Sequence, residues 1–78
     1  MKSILFRVQD KTGDTEVEFL VDEQTSVETV EKQAQEFFAK VIDEGKAVYA
    51  REGKTFLSSP TELEIGHEYV VIPAYAGG

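Results

Sequence analysis

The spacing of the apolar residues changes period along this chain, and that constrains its fold more than any other feature. Ile4, Phe6 and Val8 alternate with Leu5, Arg7 and Gln9, the pattern of a strand with one face on a core, expected over roughly residues 2–9. A polar connection, Asp10-Lys11-Thr12-Gly13-Asp14, leads to a second alternation of Val17, Phe19 and Val21 against Glu16, Glu18 and Leu20. An N-terminal antiparallel hairpin follows. The spacing then shifts to three and four through Val27, Val30, Ala34, Phe37, Phe38 and Val41, with Glu31, Lys32, Gln35, Glu36 and Lys40 opposite. This is an amphipathic helix whose stripe covers a sheet, with at least one of Phe37 and Phe38 in the core. Thr25 and Glu28 read as a capping box at its start, and Gly45 as a left-handed cap at its end.

Beyond the helix, Ala47 to Arg51 and Lys54 to Leu57 are short strand candidates around a tight turn at Glu52-Gly53. Ser58-Ser59-Pro60 breaks the pattern, and Thr61 to Leu63 suits a single helical turn. Tyr69-Val70-Val71-Ile72 is a continuous apolar run, as in a strand buried on both faces, and Pro73, which has no N–H, ends it. The expected fold class is α+β, a mixed sheet of four to five strands crossed by one main helix. The last strand belongs at the centre, beside and parallel to the first. With 78 residues there is room for one core, so residues 1–73 form the domain and 74–78 a C-terminal tail.

Charge and composition remove most function classes. Eight Lys and Arg against 15 Asp and Glu give a net charge of −7, which argues against nucleic-acid and anionic-membrane partners and for a partner with a basic surface. The absence of cysteine removes disulfides, thiolate metal sites and a catalytic thiol. One histidine, His67, lies near Glu62, Glu64 and Glu68, but a single imidazole on a polar turn is ordinarily solvated, and no metal site is expected. Ser58 and Ser59 lack the partners that would activate a nucleophile. No stretch approaches the roughly 20 apolar residues of a membrane span, nor is there a signal-peptide apolar core. A soluble, cytoplasmic protein that is not an enzyme is the expectation.

What remains is the tail, Ala74-Tyr75-Ala76-Gly77-Gly78. Fully extended, five residues reach about 17 Å, enough to enter another protein's active site. Without Cβ atoms, Gly77 and Gly78 pass a narrow channel and present a carboxylate to a catalytic centre. A carboxylate is a poor acyl donor, so an ATP-dependent partner would have to convert it to an acyl-adenylate before a sulfur or nitrogen nucleophile attacked. Tyr75 has no core to join in an extended tail and reads as an anchor for a partner's pocket.

The stretch from Leu63 to Gly78 resembles the end of the small sulfur-carrier proteins, the small subunit of molybdopterin synthase (MoaD) and the thiamine-pathway carrier (ThiS). Their ends read L-x-x-G-D-E-V-x-x-x-P-P-V-A-G-G, and Gly66, Glu68, Pro73, Ala76, Gly77 and Gly78 match in place. The order and length of the whole chain are similar to the ubiquitin-like β-grasp fold of that group. His67, Ala74 and Tyr75 stand where the family has Asp, a second Pro and a small aliphatic residue, and Tyr49-Ala50 where it often has Asn.

The resemblance implies a carrier that binds no cofactor or metal itself. Gly78 is adenylated by a ubiquitin-activating-type enzyme that uses ATP, then converted to a thiocarboxylate that donates sulfur in cofactor biosynthesis. Molybdopterin is the first candidate product and thiamine thiazole the next. Gly78, with Gly77, carries the chemistry; Pro73, Ala74, Tyr75 and Ala76 contact the partner, which includes the activating enzyme and a synthase large subunit or sulfurtransferase. Two alternatives stay open. One is a ubiquitin-like modifier joined to lysines through Gly78, for which the six lysines of this chain could accept further copies; the other is an interaction module or enzyme subunit that is never conjugated.

Overall fold

The computed structural model describes residues 2–10 and 13–73. Strands β1 (Ser3–Asp10) and β2 (Gly13–Leu20) precede helix α1 (Val27–Asp43), strand β3 (Lys46–Ala50), a 3-10 turn (Pro60–Glu62) and strand β4 (Glu68–Pro73). The sheet order is β2-β1-β4-β3. β1 pairs with β2 and β4 with β3 antiparallel, while β1 and β4 run parallel, joined through the helix. This is the expected α+β plan, a mixed sheet with one helix on one face, consistent with a β-grasp layout.

The helix-facing side carries the core. Ile4, Phe6, Val48, Tyr69 and Val71 from the sheet meet Val30, Ala34, Phe38 and Val41 of α1, with Leu63 closing one end. Phe6 is fully buried, and its ring lies 6.0 Å from Phe19, 4.8 Å from Phe37 and 5.7 Å from Tyr69. Aromatic rings at these separations contribute beyond the area they bury. Phe38 is in the core, whereas Phe37 is half-buried at its edge and Val27, the first residue of the apolar stripe, is exposed.

β4 is buried on both faces, as its apolar run implies, but not by a second layer of helices. Tyr69 and Val71 face the core; Val70, on the other side, stands in register between Arg7 of β1 and Tyr49 of β3.

Three expectations are corrected. The helix is capped by Ser26, whose hydroxyl accepts from Thr29 N–H at 3.2 Å, not by Thr25. The reason lies just upstream. Asp22 Oδ1 accepts from the N–H groups of Gln24 and Thr25, each at 2.8 Å, so Thr25 belongs to an Asx turn and the helix opens one residue later. Glu28 stays in the first turn, where the helix dipole favours its charge. Gly45 does take the left-handed conformation past the helix end, at φ 84°.

The second correction concerns the strand expected over residues 54–57. It shrinks to a single bridge between Tyr49 and Phe56, so the sheet has four strands. Glu52-Gly53 is not a two-residue turn, because Ala50 N–H donates to Thr55 at 2.9 Å and leaves a four-residue loop between them. Third, the last strand runs one residue past Ile72 and ends on Pro73 itself. β1 pairs with β4 only as far as Val71, so Pro73 faces β3 alone, opposite Lys46, and its missing N–H breaks no ladder on the β1 side.

Candidate functional site

The candidate site begins where β4 leaves the sheet. Pro73 is exposed and paired in register with Lys46, the first residue of β3. Lys46 Nζ lies 3.2 Å from Glu44 Oε1, so the helix C-terminus and the exit of β4 come together through Gly45. Of the residues expected to contact a partner or carry chemistry, the structure places Pro73 here. Ala74, Tyr75, Ala76, Gly77 and Gly78 lie outside the described residues.

The opposite end of β4 holds a cleft, an open depression of about 720 Å³ between the loop after β3 and the loop before β4. Leu57, Ala50 and Tyr69 contribute apolar surface, and Glu52, Glu62, Glu64, Glu68, Arg51 and His67 the polar lining. Five residue steps of strand, roughly 16 Å, separate Glu68 from Pro73. The cleft is therefore remote from the tail's point of exit.

His67 Nε2 sits 3.3 Å from Glu64 Oε2 on an exposed turn. Among the described residues no group of three or more His, Cys, Asp or Glu is placed to hold a metal ion. Ser58 Oγ donates to Glu62 Oε1 at 3.0 Å and Ser59 caps the 3-10 turn, so both hydroxyls are occupied in holding local structure. Beneath the turn, Tyr69 Oη accepts from Glu64 N–H at 2.8 Å. Burial pushes the phenol pKa above its ordinary value of 10.0, the Glu64 hydrogen bond pulls it down and the Glu64 charge raises it again.

One feature of the face opposite the helix was not foreseen. Arg7 Nη2 lies 3.0 Å from Glu16 and 3.7 Å from Glu68, and Glu68 takes Arg51 Nη1 at 2.7 Å. A line of alternating charge thus crosses from β2 over β1 and β4 to the loop after β3. The buried Nε of Arg7 has no hydrogen-bond partner among the described residues, so its two carboxylate contacts are made through Nη2. The signal was present in the first alternation, since Arg7 occupies an outward position, but its partners depend on strand order. Phe56 stacks edge-on against Tyr49 at 5.4 Å and remains more than half exposed at 57%.

Comparison with protein-family models, with curated proteins and with solved structures returns no match for this chain. No helix among the described residues is long and apolar enough to cross a membrane.

Proposed function

We propose that this chain is a sulfur-carrier protein acting through the carboxylate of Gly78. The observation that supports this reading is the position of β4. β4, an interior strand paired with β1 and β3 and buried on both faces, leads in sequence through Pro73 into Ala74-Tyr75-Ala76-Gly77-Gly78. In sequence the folded body runs straight into Gly77 and Gly78, whose lack of Cβ atoms suits delivery of a carboxylate into another protein's active site.

In the proposed cycle a ubiquitin-activating-type partner joins the Gly78 carboxylate to AMP from ATP and releases pyrophosphate. Hydrosulfide then attacks the acyl carbon and AMP leaves, giving a thiocarboxylate; a persulfide nucleophile would give an acyl disulfide, which a thiol reductant then cleaves to the same thiocarboxylate. The carrier supplies no acid, base or metal, and the partner supplies ATP and catalysis. Molybdopterin formation is the first pathway to test and thiamine thiazole formation the second. The acidic body would steer association with a basic partner and make its rate fall with salt.

The test is pyrophosphate exchange into ATP catalysed by a candidate activating enzyme in the presence of this chain, after its intact mass has verified a free Gly78 carboxylate. Exchange that requires the chain and disappears on deletion of Gly78 supports the reading. Exchange unaffected by that deletion removes it, together with the modifier alternative, which uses the same adenylate.

A further inference from the structure

We infer that the outer edge of β2 accepts an extended protein segment bearing basic side chains at alternate positions. The two edges of the sheet differ. At β3 the chain covers its own edge, with Leu57 N–H donating to Val48 O at 2.8 Å and Ala50 N–H to Thr55 O at 2.9 Å. At β2, eight residues long, no backbone group among the described residues bonds to the outer side.

Register identifies which groups are free. Val21 N–H donates to Lys2 O at 2.9 Å, so that pair is of the hydrogen-bonded kind, and such pairs alternate along an antiparallel ladder. Phe19, Val17 and Thr15, opposite Ile4, Phe6 and Val8, therefore bond inward to β1. Glu18, Glu16 and Asp14, with Leu20, direct their N–H and C=O groups outward. An added strand would find its hydrogen-bonding positions at these residues.

The same residues put their side chains on the face away from the helix, because Val17 and Phe19 between them pack against the core. Three successive positions on that face are carboxylates. In a hydrogen-bonded pair the facing residue lies about 5.5 Å away, with its side chain on the same side of the sheet. A strand with Lys or Arg at every second position thus sets a cation against each of Asp14, Glu16 and Glu18. A second copy of β2 would set carboxylate against carboxylate, which disfavours self-pairing. Glu16 and Glu18 are already held, by Arg7 at 3.0 Å and by Ser3 Oγ at 2.9 Å, so their positions do not have to be organised on binding. The net charge of −7 favours the same class of partner.

The inference does not depend on the fate of Gly78. It is tested by titrating the isotope-labelled full chain with a capped synthetic peptide alternating lysine and valine. The expected result is saturable, salt-weakened binding that shifts and protects the amides of Asp14, Glu16, Glu18 and Leu20 from exchange. The double variant Glu16→Lys/Glu18→Lys should weaken binding by about tenfold or more. Glu16→Pro removes an outward donor and should abolish the protection; should that variant fail to fold, the lysine pair still decides. Lack of binding at about 1 mM peptide, binding that leaves those four amides unprotected, or equal affinity for a peptide with glutamate in place of lysine would overturn the inference.

Discussion

The phenolic oxygen of Tyr69 takes the backbone N–H of Glu64 at 2.8 Å, so a core residue of β4 anchors the loop that leads into its own strand. Tyr69 is 3% exposed, and burial, as the leading cause, raises its pKa above 10.0. The folded state therefore prefers the neutral phenol. Its contribution to stability is complete below the unfolded pKa of about 10 and is lost as pH rises through the higher folded value. Tyr69→Phe should remove that alkaline loss and, by leaving Glu64 N–H without its acceptor, cost about 0.5–1.5 kcal/mol at neutral pH. Denaturant unfolding of both proteins from neutral to strongly alkaline pH checks it; parallel stability curves would count against the role given to Tyr69.

Ser26, not Thr25, satisfies an N–H of the first helical turn. Ser26→Ala should destabilise the protein by about 0.5–2 kcal/mol. Thr25→Ala should cost clearly less, because the contacts given to Thr25 in the Asx turn are made by its backbone. Comparing the two midpoints in urea distinguishes the assignments, and the reverse order would restore the Thr25 cap.

Lys54 is the one described non-glycine residue with positive φ, at 52°. Left-handed backbone costs a side-chain-bearing residue roughly 1–2 kcal/mol, and glycine gives back part of that gain through the flexibility of the unfolded chain. Lys54→Gly should therefore stabilise by up to about 1 kcal/mol, read as a rise in thermal midpoint. Gly53, its neighbour at φ 76°, should respond in the opposite direction to Gly53→Ala.

Phe6 meets three aromatic rings from β2, α1 and β4. Phe6→Ala should cost about 3–5 kcal/mol, a large share of the 5–15 kcal/mol typical of a domain. Phe56→Ala, at an exposed position, should cost far less despite its contact with Tyr49. Equal losses would mean that the Tyr49–Phe56 pair closes a second core.

Much of this architecture is legible in the residues. The alternation around Phe6, the three-and-four spacing of Val30, Ala34, Phe38 and Val41, and the run at Val70 each report a local period, and local periods survive into the fold. What depends on tertiary context was not legible. Lys54 to Leu57 carries enough alternation to suggest a strand, but only Phe56 finds a bridge, and Ser58, the residue after this stretch, already donates its N–H to Glu62. Thr25 and Ser26 are both capping types, and the Asx turn that Asp22 makes with Thr25 N–H leaves the role to Ser26. The charge line through Arg7, Glu68 and Arg51 and the outward groups of Glu16 and Glu18 follow from sheet order and register, which no single stretch of sequence contains. For the candidate site, Pro73 is placed at the exit of β4, while the roles given to Ala74 through Gly78 rest on the residues alone.

The central claim concerns the last of those residues, and intact-mass analysis tests it most directly. The chain is incubated with a cognate activating enzyme, ATP and a sulfur source, and its mass is followed alongside a variant lacking Gly78. A sulfur carrier should gain the mass change of one oxygen replaced by sulfur, confined to the C-terminal fragment and absent from the variant. Isopeptide-linked adducts would instead indicate a modifier, and an unchanged mass under conditions that convert a known carrier would contradict the proposed function.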